Sequence, residues 1–160
     1  MNHTQRLTRG GLIAALYVAL TFFSSLLGIS RGVIQCRLSA ALCVLPVFLP
    51  EAVPGLFVGC LLATLVTGAP LLDILFGSLA TLLGAVGAYL LRRFPLFTPL
   101  PTVLANAAII PPLLVFAYGV PEGYWFCLIT VTAGELISAY ALGLFLYFTL
   151  KKRSKGLFTK

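Results

Sequence analysis

The sequence predicts an all-α integral membrane protein with six transmembrane helices and both termini in the cytoplasm. Of its 160 residues, 60% are hydrophobic and only 9% are charged, and the mean hydropathy is +1.07. A soluble domain needs about a quarter of its residues charged to cover its surface. The outer surface of this chain must therefore face lipid, and its length predicts a single membrane domain over residues 1–160.

Six apolar segments separated by turn signals are the predicted helices. They span about residues 7–28, 36–49, 54–67, 71–91, 101–118 and 123–150. The first segment follows a basic tail, as in a signal peptide, but no small-x-small cleavage site closes it, so it is predicted to be a membrane helix. Pro111 and Pro112 are expected to interrupt the fifth helix, and the carbonyls they free must face protein or a wet cavity. The sixth segment is the longest.

The distribution of basic residues predicts the orientation. Only Arg31 and Arg37 fall on one side of the predicted membrane domain. The other side holds Arg6, Arg9, Arg92, Arg93, Lys151, Lys152, Arg153, Lys155 and Lys160. Because positive residues stay cytoplasmic, both termini are predicted to lie inside, which requires an even number of helices.

Charge, cysteine and histidine content exclude several classes of function. The net charge of +7 comes from the chain ends and one loop, which is typical of topology signals, so no nucleic-acid partner is predicted. None of the four cysteines forms a C-x-x-C pair, and they are predicted to be small apolar helix residues. His3 is the only histidine, which excludes a histidine-dependent triad or a histidine metal cluster within this chain. No cofactor is predicted.

Small residues recur at a spacing of four on three predicted helices. The three stripes are Gly11-Ala15-Ala19, Gly55-Gly59-Ala63 and Ala80-Gly84-Ala88. Such stripes let helix backbones approach closely in lipid. They indicate packing within this chain, and the alternative for the first stripe is a docking face for another membrane protein.

Polar side chains inside apolar helices are the candidate binding residues, because each costs about 2.5–3.5 kcal/mol to insert unless it has a partner or a function. The candidates are Gln35, Arg37, Asp73, Asn106, Trp125 and Glu135. Structural readings stay open: Glu135 as the ion-pair partner of Arg37, Asp73 as a helix cap, Asn106 as interhelical glue. If the candidates converge, a carboxylate, an amide and an aromatic ring suit a flat, hydrogen-bonding heterocycle reached from outside. The chain lacks a nucleotide-binding P-loop and paired repeats, so active uptake would need partner subunits.

Three segments resemble one known family. Residues 33–42 (VIQCRLSAAL) are similar to its I-Q-F-R-[IV]-S-E-A-L segment, and residues 54–60 (PGLFVGC) to its P-G-L-x-x-G-C run. Residues 72–82 (LDILFGSLATL) resemble its D-[IV]-[VL]-F-G-[ST]-L-A-T-L signature, and Asn106 and Gly134-Glu135 fall where it carries Asn and Gly-Glu. The chain thus resembles the QueT family, the substrate-binding (S) components of energy-coupling-factor (ECF) transporters for queuosine precursors.

This resemblance implies the ECF S-component fold and an outward pocket for a 7-deazaguanine base: queuine or its aminomethyl or cyano precursor. It also implies partners, namely a transmembrane scaffold subunit that contacts Ala15 and Ala19, and two cytoplasmic ATPases that hydrolyse ATP. The chain departs from the family at Ala40, where a glutamate is frequent, and at Cys36, where a phenylalanine is frequent. The alternatives are an S component for another vitamin or purine-like solute and, in a different class, a small membrane enzyme or assembly factor acting on a lipid.

Overall fold

The computed structural model describes residues 3–28, 37–119, 121 and 123–157, with side chains up to residue 152, and this part of the chain is helical. Its elements in chain order are α1 (His3–Leu26), a 3-10 helix (Leu38–Val47), α2 (Ala52–Val66), α3 (Leu71–Leu90), a 3-10 turn (Pro95–Phe97), α4 (Leu100–Pro112), a π-helical segment (Leu113–Ala117), α5 (Tyr124–Glu135), a second π-helical segment (Leu136–Leu142) and α6 (Gly143–Leu157). The predicted residues Arg31 and Gln35 lie outside the described residues.

Four helical stretches in the described residues are long and apolar enough to cross a membrane. They are His3–Leu26, Leu71–Leu90, Pro95–Ala117 and Tyr124–Lys152. The second and third predicted segments contain shorter apolar helices, and α2, with 15 residues, is only about 22 Å long against a hydrocarbon core of about 30 Å. The chain is thus a helical membrane protein, while six complete spans and the cytoplasmic termini stay predictions.

The second predicted helix differs most from expectation, because Leu38–Val47 is a 3-10 helix of 10 residues. Runs of this tight helix beyond three or four residues are uncommon. Here the surroundings support it: residues 39–44 are all buried, and the helix contacts α1, α2, α3 and α6. Its first turn is tied to α1, since Leu38 N–H donates to Ser24 Oγ at 3.2 Å and Thr21 Oγ1 donates to Ser39 Oγ at 2.9 Å.

Glycines let α2 and α3 approach their neighbours. A Cβ placed on Gly55 would lie 2.7 Å from the Gly10 carbonyl oxygen, and one on Gly84 would lie 2.8 Å from Thr102 Cα. The stripes on these two helices therefore pack within the chain, where α2 contacts α1 and α3 contacts α4. The stripe on α1 differs, because Ala15 and Ala19 are exposed and a Cβ on Gly11 would meet nothing within 4 Å.

The fifth predicted helix is not broken at its two prolines, which lie inside α4. Helical bonding resumes at Leu113, whose N–H donates to the Ile110 carbonyl, and a wider π-helical segment follows. Pro111 is buried, whereas Pro112 lines a surface groove of about 480 Å³ beside Phe76 and Phe116. The backbone hydrogen bonds change from α-helical to π-helical spacing after the two prolines. The predicted interruption is therefore a change of helix type.

Candidate functional site

Glu135 is the most deeply buried acid of the predicted site. It ends α5, one residue before the π-helical segment Leu136–Leu142, and only 5% of it is exposed. Asn106 of α4, also buried, hydrogen-bonds its side chain, while Asn106 Nδ2 donates to the Thr102 carbonyl at 3.2 Å. Within the described residues, Glu135 Oε2 has no hydrogen-bond partner. A buried carboxylate oxygen without a partner is costly and needs an explanation, such as a ligand group or a water.

Arg37 is the cation that faces this carboxylate. It immediately precedes the 3-10 helix, and its guanidinium interacts electrostatically with Glu135 and Asp73. Gly77 of α3 leaves room for it, since a Cβ there would lie 4.0 Å from Arg37 Nη1. We call Arg37, Asp73, Asn106 and Glu135 the polar cluster.

Asp73 forms the more accessible edge of the polar cluster. It lies in the first turn of α3, half-buried, and the Tyr118 hydroxyl donates to its Oδ1 at 3.3 Å. An acid in the first turn of a helix is also favoured by the helix dipole. The hydrogen bond between Tyr118 and Asp73 joins the end of the π-helical segment Leu113–Ala117 to the beginning of α3.

Tyr17 extends the polar surroundings of Arg37 toward α1 and α2. This tyrosine is only 3% exposed, it hydrogen-bonds with the Cys60 side chain, and it interacts electrostatically with Arg37. Thr81 of α3 also donates to Cys60 Sγ, at 3.3 Å. Arg37 therefore interacts electrostatically with side chains of α1, α2, α3 and α5.

The structure places the predicted residues in three locations. Arg37, Asp73, Asn106 and Glu135 share the polar cluster. Trp125 lies on the surface, 74% exposed, with its ring edge-on to Tyr124 at 5.6 Å between centroids. Gln35 lies outside the described residues, so its role and that of Trp125 stay predictions, and Ala15 and Ala19 lie on the exposed face of α1.

Tyr17 and Tyr118 were not among the residues predicted for the site. Tyr118 ends an apolar run, where a tyrosine is typical of the aromatic belt at the membrane interface, so nothing in the sequence links it to Asp73. Tyr17 carries a weak signal, because it is the one hydroxyl-bearing ring in the apolar run of the first helix. A buried tyrosine hydroxyl usually has a hydrogen-bond partner, so Tyr17 could have been predicted to contact another polar group.

The polar cluster has the groups needed to bind a small polar solute. It offers a carboxylate with one free oxygen, a guanidinium with several donors and an amide that both donates and accepts. Within the described residues there is no group of three histidine, cysteine, aspartate or glutamate side chains that could hold a metal ion. The cluster can therefore hold a small polar solute by hydrogen bonds in an otherwise apolar body.

Nearly the whole chain matches one known protein family. Residues 7–152, about nine-tenths of the chain, match the sequence model of a family described as the QueT transporter. No curated protein and no solved structure matches the chain. Because the family match covers nearly the whole chain and includes every residue of the polar cluster, the chain belongs to the QueT transporter family.

Proposed function

We propose that this protein is the substrate-binding subunit of an ECF-type importer and that it binds a 7-deazaguanine precursor of queuosine. Its family makes it a transporter component, a transport subunit rather than an enzyme, and its four long apolar helices agree with a place in the membrane. The 7-deazaguanine substrate and the ECF importer class go beyond what the family description states. They are supported by the earlier resemblance and by the polar cluster.

The observation that supports substrate binding is the unpartnered carboxylate oxygen of Glu135. Its residue is 5% exposed, and Asn106 and Arg37 are its polar neighbours in the described residues. If burial were only structural, an apolar residue of similar size would be less costly at this position. A solute with N–H donors would fill the free acceptor when it binds.

A deazaguanine base matches the chemistry of the polar cluster. Its pyrimidine ring carries adjacent N–H donors and a carbonyl oxygen. Glu135 would accept the parallel N–H bonds, which are strong because the acceptor is charged. Arg37 or Asn106 would donate to the carbonyl oxygen. An adenine-like edge lacks this donor pattern. Its binding would leave hydrogen-bonding groups of Glu135, Arg37 or Asn106 without a partner.

Binding by the purified chain tests the substrate. We expect queuine and its aminomethyl and cyano precursors to bind in isothermal titration calorimetry, in detergent or nanodiscs, and to raise the melting temperature. We expect 7-deazaadenine to bind at least about tenfold more weakly, because one lost hydrogen bond to a charged group is worth about 1.5–3 kcal/mol.

Other outcomes of this titration would favour the alternatives. If no deazaguanine bound, the substrate assignment would be wrong. Binding of guanine, adenine or a vitamin with equal strength would favour an S component for another purine-like or vitamin solute. Turnover of a labelled lipid by the protein alone would favour a membrane enzyme instead.

The partner assignment rests on the exposed small-residue face of α1. Ala15 and Ala19 are exposed, and an indole at this face would hold another helix away. We expect Ala15→Trp to abolish co-purification of the scaffold and its two ATPases with the tagged chain. Deazaguanine binding by the isolated chain should be unchanged.

Ala133→Trp is the matched control for this pull-down, because it adds an indole to an exposed alanine of α5. It should retain the partners. Equal loss of partners in both variants would mean that any bulky change prevents assembly, and full retention in Ala15→Trp would place the scaffold elsewhere.

A further inference from the structure

A second groove lies between the first turns of α1 and α2 and shares no lining residue with the polar cluster. It has a volume of about 470 Å³. Its lining includes His3, Arg6, Leu7, Gly11, Glu51 and Val58. We call it the α1–α2 groove. Its polar residues gather at one end and its apolar residues continue along the helices, which is the division expected where a membrane protein passes from the lipid headgroups into the hydrocarbon core.

Glu51 gives the polar end its chemistry. Its side chain is only 9% exposed, and Arg6 Nε lies 3.3 Å from its Oε1. Within the part of the chain that the structure describes, neither carboxylate oxygen has a hydrogen bond, so the ion pair does not meet hydrogen-bond geometry. Helix α2 also makes no use of Glu51, because the residue stands at its N-cap without a side-chain capping bond. Arg6 therefore balances the charge of Glu51, while both buried oxygens lack a hydrogen-bond donor within the described residues.

The apolar part of the groove is open beside Gly11, while Gly10 and Gly55 lie where α1 and α2 touch. Gly10, Gly11 and Gly55 all line it, and a Cβ on Gly11 would meet nothing within 4 Å. The remaining wall is aliphatic and includes Leu7 and Val58, which are 79% and 45% exposed. An extended hydrocarbon chain fits such a trough.

Charge decides which ligand matches the polar end. Arg6 stands beside Glu51, so a lone cation, such as the lysine of a partner protein, would meet a carboxylate whose charge is already balanced. A lone anion would satisfy Arg6 and leave the Glu51 oxygens without donors. A zwitterion with a phosphate and an N–H-bearing cation satisfies both groups.

We propose that the α1–α2 groove binds a phospholipid with a primary-amine headgroup. The ammonium donates to the Glu51 carboxylate, the phosphate accepts from the Arg6 guanidinium, and an acyl chain lies along the glycine-lined trough. Arg6 is 57% exposed at its side chain, so it can turn outward to the phosphate and uncover Glu51 for the ammonium. A primary ammonium supplies both N–H donors and a positive charge to Glu51, whereas choline supplies only the charge and the glycerol hydroxyls supply only donors.

Native mass spectrometry of the full-length chain tests this proposal. The purified protein is offered phosphatidylethanolamine, phosphatidylcholine and phosphatidylglycerol with the same acyl chains. We expect phosphatidylethanolamine to be retained about tenfold more than either other lipid, because choline has no N–H and glycerol has no cation.

Three variants separate the parts of the site. Glu51→Gln should abolish the preference for phosphatidylethanolamine while leaving retention of the other lipids unchanged. Gly11→Leu, whose new Cβ would meet nothing within 4 Å, places a side chain in the trough and should reduce retention of all three. Thr8→Leu adds a similar side chain to an exposed position of α1 that does not line the groove, and it should behave as the wild type. Melting curves confirm that each variant is folded.

Equal retention of phosphatidylethanolamine and phosphatidylcholine by the wild type would overturn the proposal, as would a preference that survives Glu51→Gln. If Glu51→Gln instead weakened partner co-purification with lipid retention unchanged, the groove would be a protein contact and the proposal would also be wrong. None of these outcomes depends on the deazaguanine assignment.

Discussion

Replacing Arg37 with methionine should lower the free energy of unfolding by about 3 kcal/mol, because it leaves Glu135 buried without its cation. In the described residues Arg37 is the cation that acts on Glu135, which is 5% exposed. The reverse change, Glu135→Gln, should cost less, since Arg37 still faces Asp73 and the amide keeps the size of the carboxylate. Equilibrium unfolding in mixed detergent micelles measures both changes.

The double variant Arg37→Met/Glu135→Gln is the control for this pair. It should recover a substantial part of the stability that Arg37→Met loses, because the unpaired carboxylate is gone. Additive losses in the double variant would mean that the two side chains do not stabilise each other.

The same variants separate stability from ligand binding. Glu135→Gln should weaken deazaguanine binding about ten- to hundredfold, since it replaces a charged acceptor, worth about 1.5–3 kcal/mol per hydrogen bond, while the fold is retained. If Glu135→Gln bound the base as tightly as the wild type, Glu135 would be a structural partner of Arg37 and not a substrate ligand.

The second large effect is expected at the crossing of α3 and α4. Gly84→Ala should destabilise the protein by about 2 kcal/mol, the usual cost of overpacking a tight interface. The new Cβ would lie 2.7 Å from Thr102 Oγ1 and 2.8 Å from Thr102 Cα. Because the clash involves backbone, a side-chain rotation cannot relieve it, and the two helices must separate. The melting temperature of the purified variant measures the change.

Gly77→Ala is the matched control on the same helix. Its Cβ would meet only Arg37 Nη1, at 4.0 Å, which is an ordinary contact. It should leave stability within about 0.5 kcal/mol of the wild type or raise it, because alanine has the higher helix propensity. Gly84→Ala should also weaken base binding, since Asn106 is bonded to the Thr102 carbonyl. Equal stability of the two variants would show that α4 can move away from α3 without cost.

The polar residues of the candidate site could be predicted from the sequence, but their contacts could not. Glu135, Asn106, Arg37 and Asp73 stood out because polar groups are costly in apolar helices, and these four residues lie in one cluster. The Asp73–Tyr118 bond was not predictable, because it joins residues 45 positions apart and a tyrosine at a helix end is typical of a membrane interface. Trp125, predicted at the outer interface, lies on the surface, and its role in binding stays a prediction.

The 3-10 type of the helix Leu38–Val47 could not be predicted from the sequence either. Hydropathy marked residues 36–49 as an apolar helix, and hydropathy is a sum over residues that does not distinguish a 3-10 helix from an α-helix. The choice depends on the space between α1, α2, α3 and α6 and on the bonds from Ser24 and Thr21. These are contacts between residues distant in sequence.

The sequence by itself determined the membrane class, the positions of the apolar segments, the family and the few polar residues that lie within apolar helices, because each depends on composition or on a local pattern. The tertiary structure alone decided what lies near those residues: Tyr118 donates to Asp73, Arg6 forms an ion pair with Glu51, and Arg37 interacts electrostatically with Glu135. It also decided that the small-residue stripes of α2 and α3 face inward while that of α1 faces outward. The physical reason is that a stripe or a polar side chain specifies the need for a partner, whereas only the packing of the helices determines which partner comes within reach.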